Sequence, residues 1–312
     1  MDRRRIFRIG LALLGALASL NDLRAETPAE RYMIEDPTGS PIEIGVWAPS
    51  GEAEGRPLIL ISHGSGGDYR SHVDTAEALA EAGFVVAALT HGGDNWRDMS
   101  RVAAIWERPR QLHLLADHML GAWRGRGRID PARIGAFGFS AGGFTVLVAA
   151  GGRPDLGLIP AHCRDHPDFF DCRIAAAAGG ARLAGAAARL VDWTHDERLG
   201  AVVVAAPALG FAFGRDGLAG VRAPVQLWSG DNDAVLPHPF YAEAVRAALP
   251  SPPDYRLVPD AGHFDFLAPC AAPLAAARPE LCSSAPGFDR AAFHREFNAA
   301  LVAFFRRMLA VG

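Results

Sequence analysis

Residues 138–142 read Gly-Phe-Ser-Ala-Gly and join two apolar runs, Ile134–Phe139 before and Phe144–Val148 after. A strand that enters a helix through so short a turn leaves no room for a Cβ on either side of the central serine, so glycine is needed at both flanks. The turn lifts the serine oxygen above the end of the strand. An ordinary N-cap serine at a helix start would need neither glycine. Around this junction strands and helices alternate. Arg31–Ile34 and Ile42–Trp47 flank Asp36-Pro37-Thr38-Gly39 and predict a β-hairpin. Leu58–Ile61, Phe84–Leu89, Ile134–Phe139, Ala201–Ala206, Val225–Trp228 and Tyr255–Val258 read as further strands. Continuous apolar runs among them suit burial on both faces. Helices are expected over 70–82, over 101–123 with a break near Pro109, from Ser140 onward, over 239–248 and over 290–308. The order predicts an α/β fold with a mostly parallel central sheet and helices on both faces. Neither a Pro- or Ser-rich linker nor an internal repeat divides 26–312, which reads as one domain. Residues 152–198, rich in Ala, Gly and Arg, read as a cap-like insertion over one edge of the sheet.

Composition narrows the function. Half of the 312 residues are hydrophobic and 21% are charged, which excludes a disordered chain or a coiled coil. A net charge of −4 argues against nucleic acid as a partner, since a phosphate backbone needs concentrated positive charge. All 31 basic residues are Arg, as in a GC-rich bacterial coding sequence, so no lysine is present for a Schiff base, a Walker loop or a Ser–Lys dyad. Met1-Asp2-Arg3-Arg4-Arg5, the mostly apolar stretch 6–20 and small residues up to Ala18 and Ala25 follow the three-part logic of a secretory signal over 1–25. Arg4-Arg5-Ile6-Phe7 also resembles a twin-arginine signal. The mature protein is then expected outside the cytoplasm, periplasmic or secreted, without a stable membrane span. Four cysteines fit that setting; local pairing would join Cys163 to Cys172 and Cys270 to Cys282. Their spacing does not suit zinc, and no metal site is expected. His162 and His166 stand four apart, but the prolines around them argue against a regular helix there.

The chemistry sits where strands end. A serine hydroxyl needs a base, and the base needs an orienting acid. Ser140 is the expected nucleophile and His263, in Asp260-Ala261-Gly262-His263-Phe264 after the last strand, the expected base. Asp233, in Gly230-Asp231-Asn232-Asp233, is the expected orienting acid, with Asp231 as its competitor. After Leu58–Ile61 comes His63-Gly64-Ser65-Gly66-Gly67. A tetrahedral intermediate needs two fixed N–H donors. Ala141 and Ser65 are expected to supply them, with His63 bracing the loop. Gly64 lets the backbone approach a substrate, and His91 and Asp94 are expected to line the pocket mouth. Phe211, Phe213, Trp193 and Phe264 suit core packing better than an acyl pocket.

The loop at 63–67, the turn at 138–142, the acidic turn at 230–233 and the turn at 260–264, in this order, resemble the α/β-hydrolase superfamily over about residues 40–310. The resemblance is greatest to serine esterases of the dienelactone-hydrolase-like and platelet-activating-factor-acetylhydrolase-like groups. Thr90-His91-Gly92-Gly93-Asp94-Asn95 and Trp106-Glu107-Arg108-Pro109-Arg110 add to it. True dienelactone hydrolases carry a cysteine where this chain has Ser140. The resemblance implies an α/β-hydrolase fold and hydrolysis of small to medium acyl esters through an acyl-enzyme, with a small-molecule ester as partner and no cofactor. The alternatives are amide, thioester or peptide chemistry on the same triad, or a catalytically silent binding protein.

Overall fold

The computed structural model describes residues 30–51, 53–177 and 192–310. The expected signal at 1–25 and residues 178–191 of the expected insertion lie outside them. In chain order the regular elements are β1 (Glu30–Ile34), β2 (Ile42–Trp47), β3 (Arg56–Ser62), α1 (Val73–Glu81), β4 (Val85–Thr90), α2 (Glu107–Gly121), β5 (Ile129–Phe139), α3 (Ala141–Ala149), α4 (Ile159–Asp165) and α5 (Phe170–Ala177). Then come β6 (Leu199–Ala205), β7 (Val225–Gly230), α6 (Ala242–Ala248), β8 (Asp254–Val258), α7 (Ala272–Ala277), α8 (Pro279–Cys282) and α9 (Arg290–Met308). The strands form one sheet in the order β1-β2-β4-β3-β5-β6-β7-β8. β1 and β2 are the antiparallel hairpin, β2 runs antiparallel to β4, and β3 through β8 are mutually parallel. The protein is thus α/β with a mostly parallel sheet.

Side-chain alternation divides the core into two layers. Along β3, Leu58 and Leu60 face one layer and Ile59 and Ile61 the other. Leu112 and Leu115 of α2 and Phe144 and Leu147 of α3 fill the first layer. Leu79 of α1 and Phe297, Leu301 and Phe305 of α9 fill the second. Helices on both faces explain the unbroken apolar strands, because neither side of β3–β7 meets water.

Two expectations change. Residues 101–106 are turns and α2 starts at Glu107. Pro109 falls in its first turn, where the missing N–H has no intrahelical acceptor, so it does not break the helix. Of the insertion expected at 152–198, residues 152–177 and 192–198 are described. It leaves α3 and returns at β6, which lies between β5 and β7 inside the sheet. Its α4 and α5, joined by the Cys163–Cys172 disulfide, place Ile159, Phe170 and Ile174 in a cavity shared with Ser140 at the carboxyl end of β5. α4 is helical despite its proline because Pro160 falls in its first turn. Cys270 is bonded to Cys282. Two disulfides are compatible with an exported protein, and among the described residues no helix is long and apolar enough to cross a membrane.

Candidate active site

β3 lies between β4 and β5, so the chain leaves it in opposite directions along the sheet. In open α/β sheets a crevice opens at the carboxyl ends of such strands. Ser140 stands there, between β5 and α3, at φ 56° and ψ −118°. This left-handed conformation costs about 1–3 kcal/mol and persists only where its surroundings over-determine it. The backbone does so: Ser140 N–H donates to Ala205 O (2.9 Å), and Ser140 O accepts from Phe144 N–H (3.1 Å) and Ala208 N–H (2.9 Å). The flanking glycines are obligatory. A Cβ at Gly138 would lie 2.1 Å from Gly142 O, and one at Gly142 would lie 1.9 Å from Ser62 O.

Loops after β7 and β8 bring two further side chains to the hydroxyl. His263 Nε2 is 3.1 Å from Ser140 Oγ, and His263 Nδ1 is 2.7 Å from Asp233 Oδ2. Asp233 Oδ1 accepts from Val235 N–H (2.9 Å) and Leu236 N–H (2.8 Å), so backbone fixes the carboxylate. A carboxylate can only accept from Nδ1–H, which leaves Nε2 to accept from the hydroxyl. All three residues are buried. Asp231, the competitor, is exposed and accepts from Asp260 N–H (2.6 Å) across the turn. The His263 loop is held from below. Asp265 accepts from Gly262 N–H (2.8 Å) and Arg290 Nε (2.9 Å), and His294 Nε2 donates to the Asp265 carbonyl (2.8 Å).

Ser65 and Ala141 line one cavity with Ser140. Ala141 opens α3, where helix geometry leaves an N–H without an intrahelical acceptor. Gly64 lies against Phe139 and Ser140. His91 and Asp94, expected at the pocket mouth, are instead buried behind the loop and support it. Asp94 accepts from Ser65 Oγ (3.1 Å), Gly66 N–H (3.1 Å) and Arg108 Nη1 (2.6 Å). Arg108 also donates to the His63 carbonyl and to Thr145 Oγ1 of α3 (3.1 Å). His63 Nε2 accepts from His91 N–H (2.9 Å), while its Nδ1 donates to the Gly64 carbonyl. His91 Nδ1 donates to Gln111 Oε1 and its Nε2 accepts from Ser62 Oγ, both at 2.8 Å. Each ring is thereby fixed as one neutral tautomer. Burial, with the Arg108 charge next, pushes His63 down to about 3 and holds His91 well below the usual histidine range.

These two rings set a pH dependence. Above about pH 6.5 they are neutral folded or unfolded and contribute no slope. As pH falls below that value the unfolded chain takes up protons that the fold refuses. Stability should drop by up to about 1.4 kcal/mol per pH unit per histidine, down toward pH 3 for His63. Denaturant midpoints between pH 6.5 and 5, where carboxylates contribute little, should show this slope, and His63→Gln should reduce it. A flat profile would contradict the assignment.

Other expected residues stay apart from the cavity. Phe213 and Trp193 pack on Phe144, and Phe211 stacks on His162 at 3.6 Å. Phe264 packs edge-on to His263. His162 does lie on a helix, within 4.8 Å of ligand atoms of Asp171 and Cys172. The Cys172 sulfur is spent in the disulfide, so the trio has no thiolate to offer a metal. Two further residues stand beside the site without a role expected from the sequence, Arg108 behind the loop and Asp171 in the cavity wall. Arg108 belongs to Trp106-Glu107-Arg108-Pro109-Arg110, and Asp171, on α5, belongs to no motif.

No family model matches the chain. A protein named "Putative esterase NocK" from Nocardia uniformis subsp. tsuyamanensis is 30% identical over 144 residues, covering 41% of this chain and 42% of that protein. The match therefore spans less than half of this relative's length. Two uncharacterized proteins of Mycobacterium tuberculosis, from strains CDC 1551 and H37Rv, are each 27% identical over 241 residues, covering 76% of this chain and 74% of theirs. The first similarity supports an esterase-like hydrolase.

Proposed function

We propose that the chain is a serine hydrolase of α/β-hydrolase fold, one domain over residues 26–312, that cleaves carboxylic esters of small to medium acyl chains. The observation that carries this reading is the hydrogen-bonded line Ser140–His263–Asp233 at 3.1 and 2.7 Å. In the reaction Ser140 Oγ attacks the ester carbonyl carbon while its proton passes to His263 Nε2. The negative charge on the carbonyl oxygen is met by the N–H groups of Ala141 and Ser65. Asp233 stabilises the imidazolium without taking its proton. The intermediate collapses, the alcohol oxygen leaves with the proton held by His263, and an acyl-serine remains. Water, deprotonated by His263, then releases the acid and restores the hydroxyl. The cavity beside Ser140 encloses about 90 Å³ between mostly apolar walls, which suits short acyl groups. The similarity to a protein named an esterase adds support. Finer resemblance to the dienelactone-hydrolase-like and platelet-activating-factor-acetylhydrolase-like groups belongs to the same proposal. So does export, which the two disulfides favour.

The test is an active-serine fluorophosphonate probe with a panel of matched esters, thioesters and amides. The folded protein should gain one adduct, at Ser140, and turn over esters of short acyl chains. A folded protein that neither labels nor hydrolyses an ester would overturn the reading in favour of a silent binding protein.

A further inference from the structure

The cavity beside Ser140 carries a feature that ester cleavage does not use. Its walls include Ile105, Leu156, Ile159, Ile174 and Leu209, and Asp171 is the only ionisable side chain among the described residues that line it. The carboxylate is poorly compensated. Both its oxygens face one phenol, Tyr241 Oη at 2.9 and 3.0 Å, and Oδ1 also accepts from Cys172 N–H at 2.9 Å. A carboxylate offers about four acceptor positions, and the Tyr241 hydroxyl, the Cys172 N–H and the residue's own N–H leave at least one unfilled. Arg173, whose charge reaches it weakly, spends its guanidinium on the Asp168 carbonyl at 2.6 Å. His162 supplies no counter-charge near neutral pH, because burial and the neighbouring His166 push it down to about 4. Burial raises Asp171 itself. A half-buried carboxylate among aliphatic walls and short of donors is stabilised by a cation that completes it. Its position is also fixed: the adjacent Cys172 is tied to α4, and Tyr241 at the head of α6 holds the carboxylate from behind.

We propose that Asp171 is a specificity-determining residue, and that the cavity receives an ester bearing a protonated amine whose ammonium meets the Asp171 carboxylate while the carbonyl meets Ser140. The inference rests on the esterase reading and names its substrate class, an amine-bearing ester. Binding completes the unfilled acceptor capacity of Asp171. The same cavity refuses an acyl chain ending in a carboxylate, because two like charges would share an apolar enclosure.

Two isosteric pairs test it near neutral pH with the purified protein. Ethyl β-alaninate against ethyl butanoate replaces a methyl by an ammonium on the acyl side. 2-(Dimethylamino)ethyl acetate against 3-methylbutyl acetate makes the equivalent change on the alcohol side. The wild type should favour the cationic member of one pair by about 10–100-fold in kcat/KM, carried by KM, as hydrogen bonds to charged groups do. Asp171→Asn should abolish that preference, whereas Tyr241→Phe, which keeps the charge and its tether through the Cys172 N–H and the disulfide, should retain it. Turnover of neutral esters without preference in either pair overturns the inference and leaves the esterase reading intact. Equal loss in both variants also overturns it, since Asp171 would then be only a tether between α5 and Tyr241. If no ester is turned over, the esterase reading fails by itself. Calorimetry with propylammonium then decides the inference: binding weakened at least about tenfold in Asp171→Asn supports it, and no binding overturns it.

Discussion

Ser140→Ala is expected to lower ester turnover by about 10⁶-fold while the protein stays folded. The two halves of this expectation rest on different atoms. The hydroxyl is the proposed nucleophile, and its Oγ lies 3.1 Å from His263 Nε2. Without it, what remains is whatever the oxyanion donors and cavity contribute to direct attack by water, about 10³–10⁴ over the uncatalysed rate. The strained turn is held by backbone alone, through Ser140 N–H to Ala205 O and Ser140 O to Phe144 and Ala208 N–H. Alanine carries the same Cβ at φ 56°, so the strain does not change. The loss of one side-chain hydrogen bond should move stability by about 1 kcal/mol at most. Turnover by the variant should be measured after fluorophosphonate treatment, which silences any wild-type contaminant. Activity within about tenfold of wild type, in a variant with an unchanged melting curve, would show that another group performs the attack.

How far the fold and site were legible follows from what a sequence pattern reports. Apolar periodicity reports burial, so the unbroken runs of β3–β7 and the long amphipathic α9 could be read directly, α9 with its bounds at 290 and 308. The motifs that place Ser140, Asp233 and His263 at strand ends were legible because tight turns demand glycine, and the three side chains meet there. Polar loop residues were harder. His91 and Asp94 follow β4, and nothing local says whether the chain then turns over them or opens to solvent; it turns over them. Arg108 was invisible for a related reason. An arginine on the first turn of a helix ordinarily faces water, and only the partners Asp94, the His63 carbonyl and Thr145, drawn from three separate segments, make its burial tolerable. Asp171 was hidden because its isolation is a property of the assembled cavity, with Tyr241 seventy positions away in sequence.

Arg108→Met should be the most destabilising single change near the site that leaves the triad itself untouched. The guanidinium is buried and ion-paired to Asp94 at 2.6 Å, both side chains being almost inaccessible. Removing it leaves a buried carboxylate facing only Ser65 Oγ and Gly66 N–H, and breaking a buried pair in this way costs about 3–5 kcal/mol. In a chain of this size the midpoint of thermal unfolding should fall by about 10 °C. The second consequence is kinetic. Arg108 joins the Ser65 loop, through the His63 carbonyl and Asp94, to α3, which begins at Ala141. Loosening that clamp displaces one proposed oxyanion donor relative to the other, a loss of about 10²–10³ in kcat with a smaller change in KM. Asp94→Asn in the same chain separates the two effects. It removes the orphaned charge and should restore part of the stability, but it does not rebuild the bridge to Thr145 and the His63 carbonyl, so kcat should stay low. Arg108→Lys should also fail to rescue kcat, because a single ammonium cannot reach three acceptors held in a planar fork. A double variant that recovers stability and kcat together would mean that Arg108 serves only to neutralise Asp94, and that the loop geometry is set elsewhere.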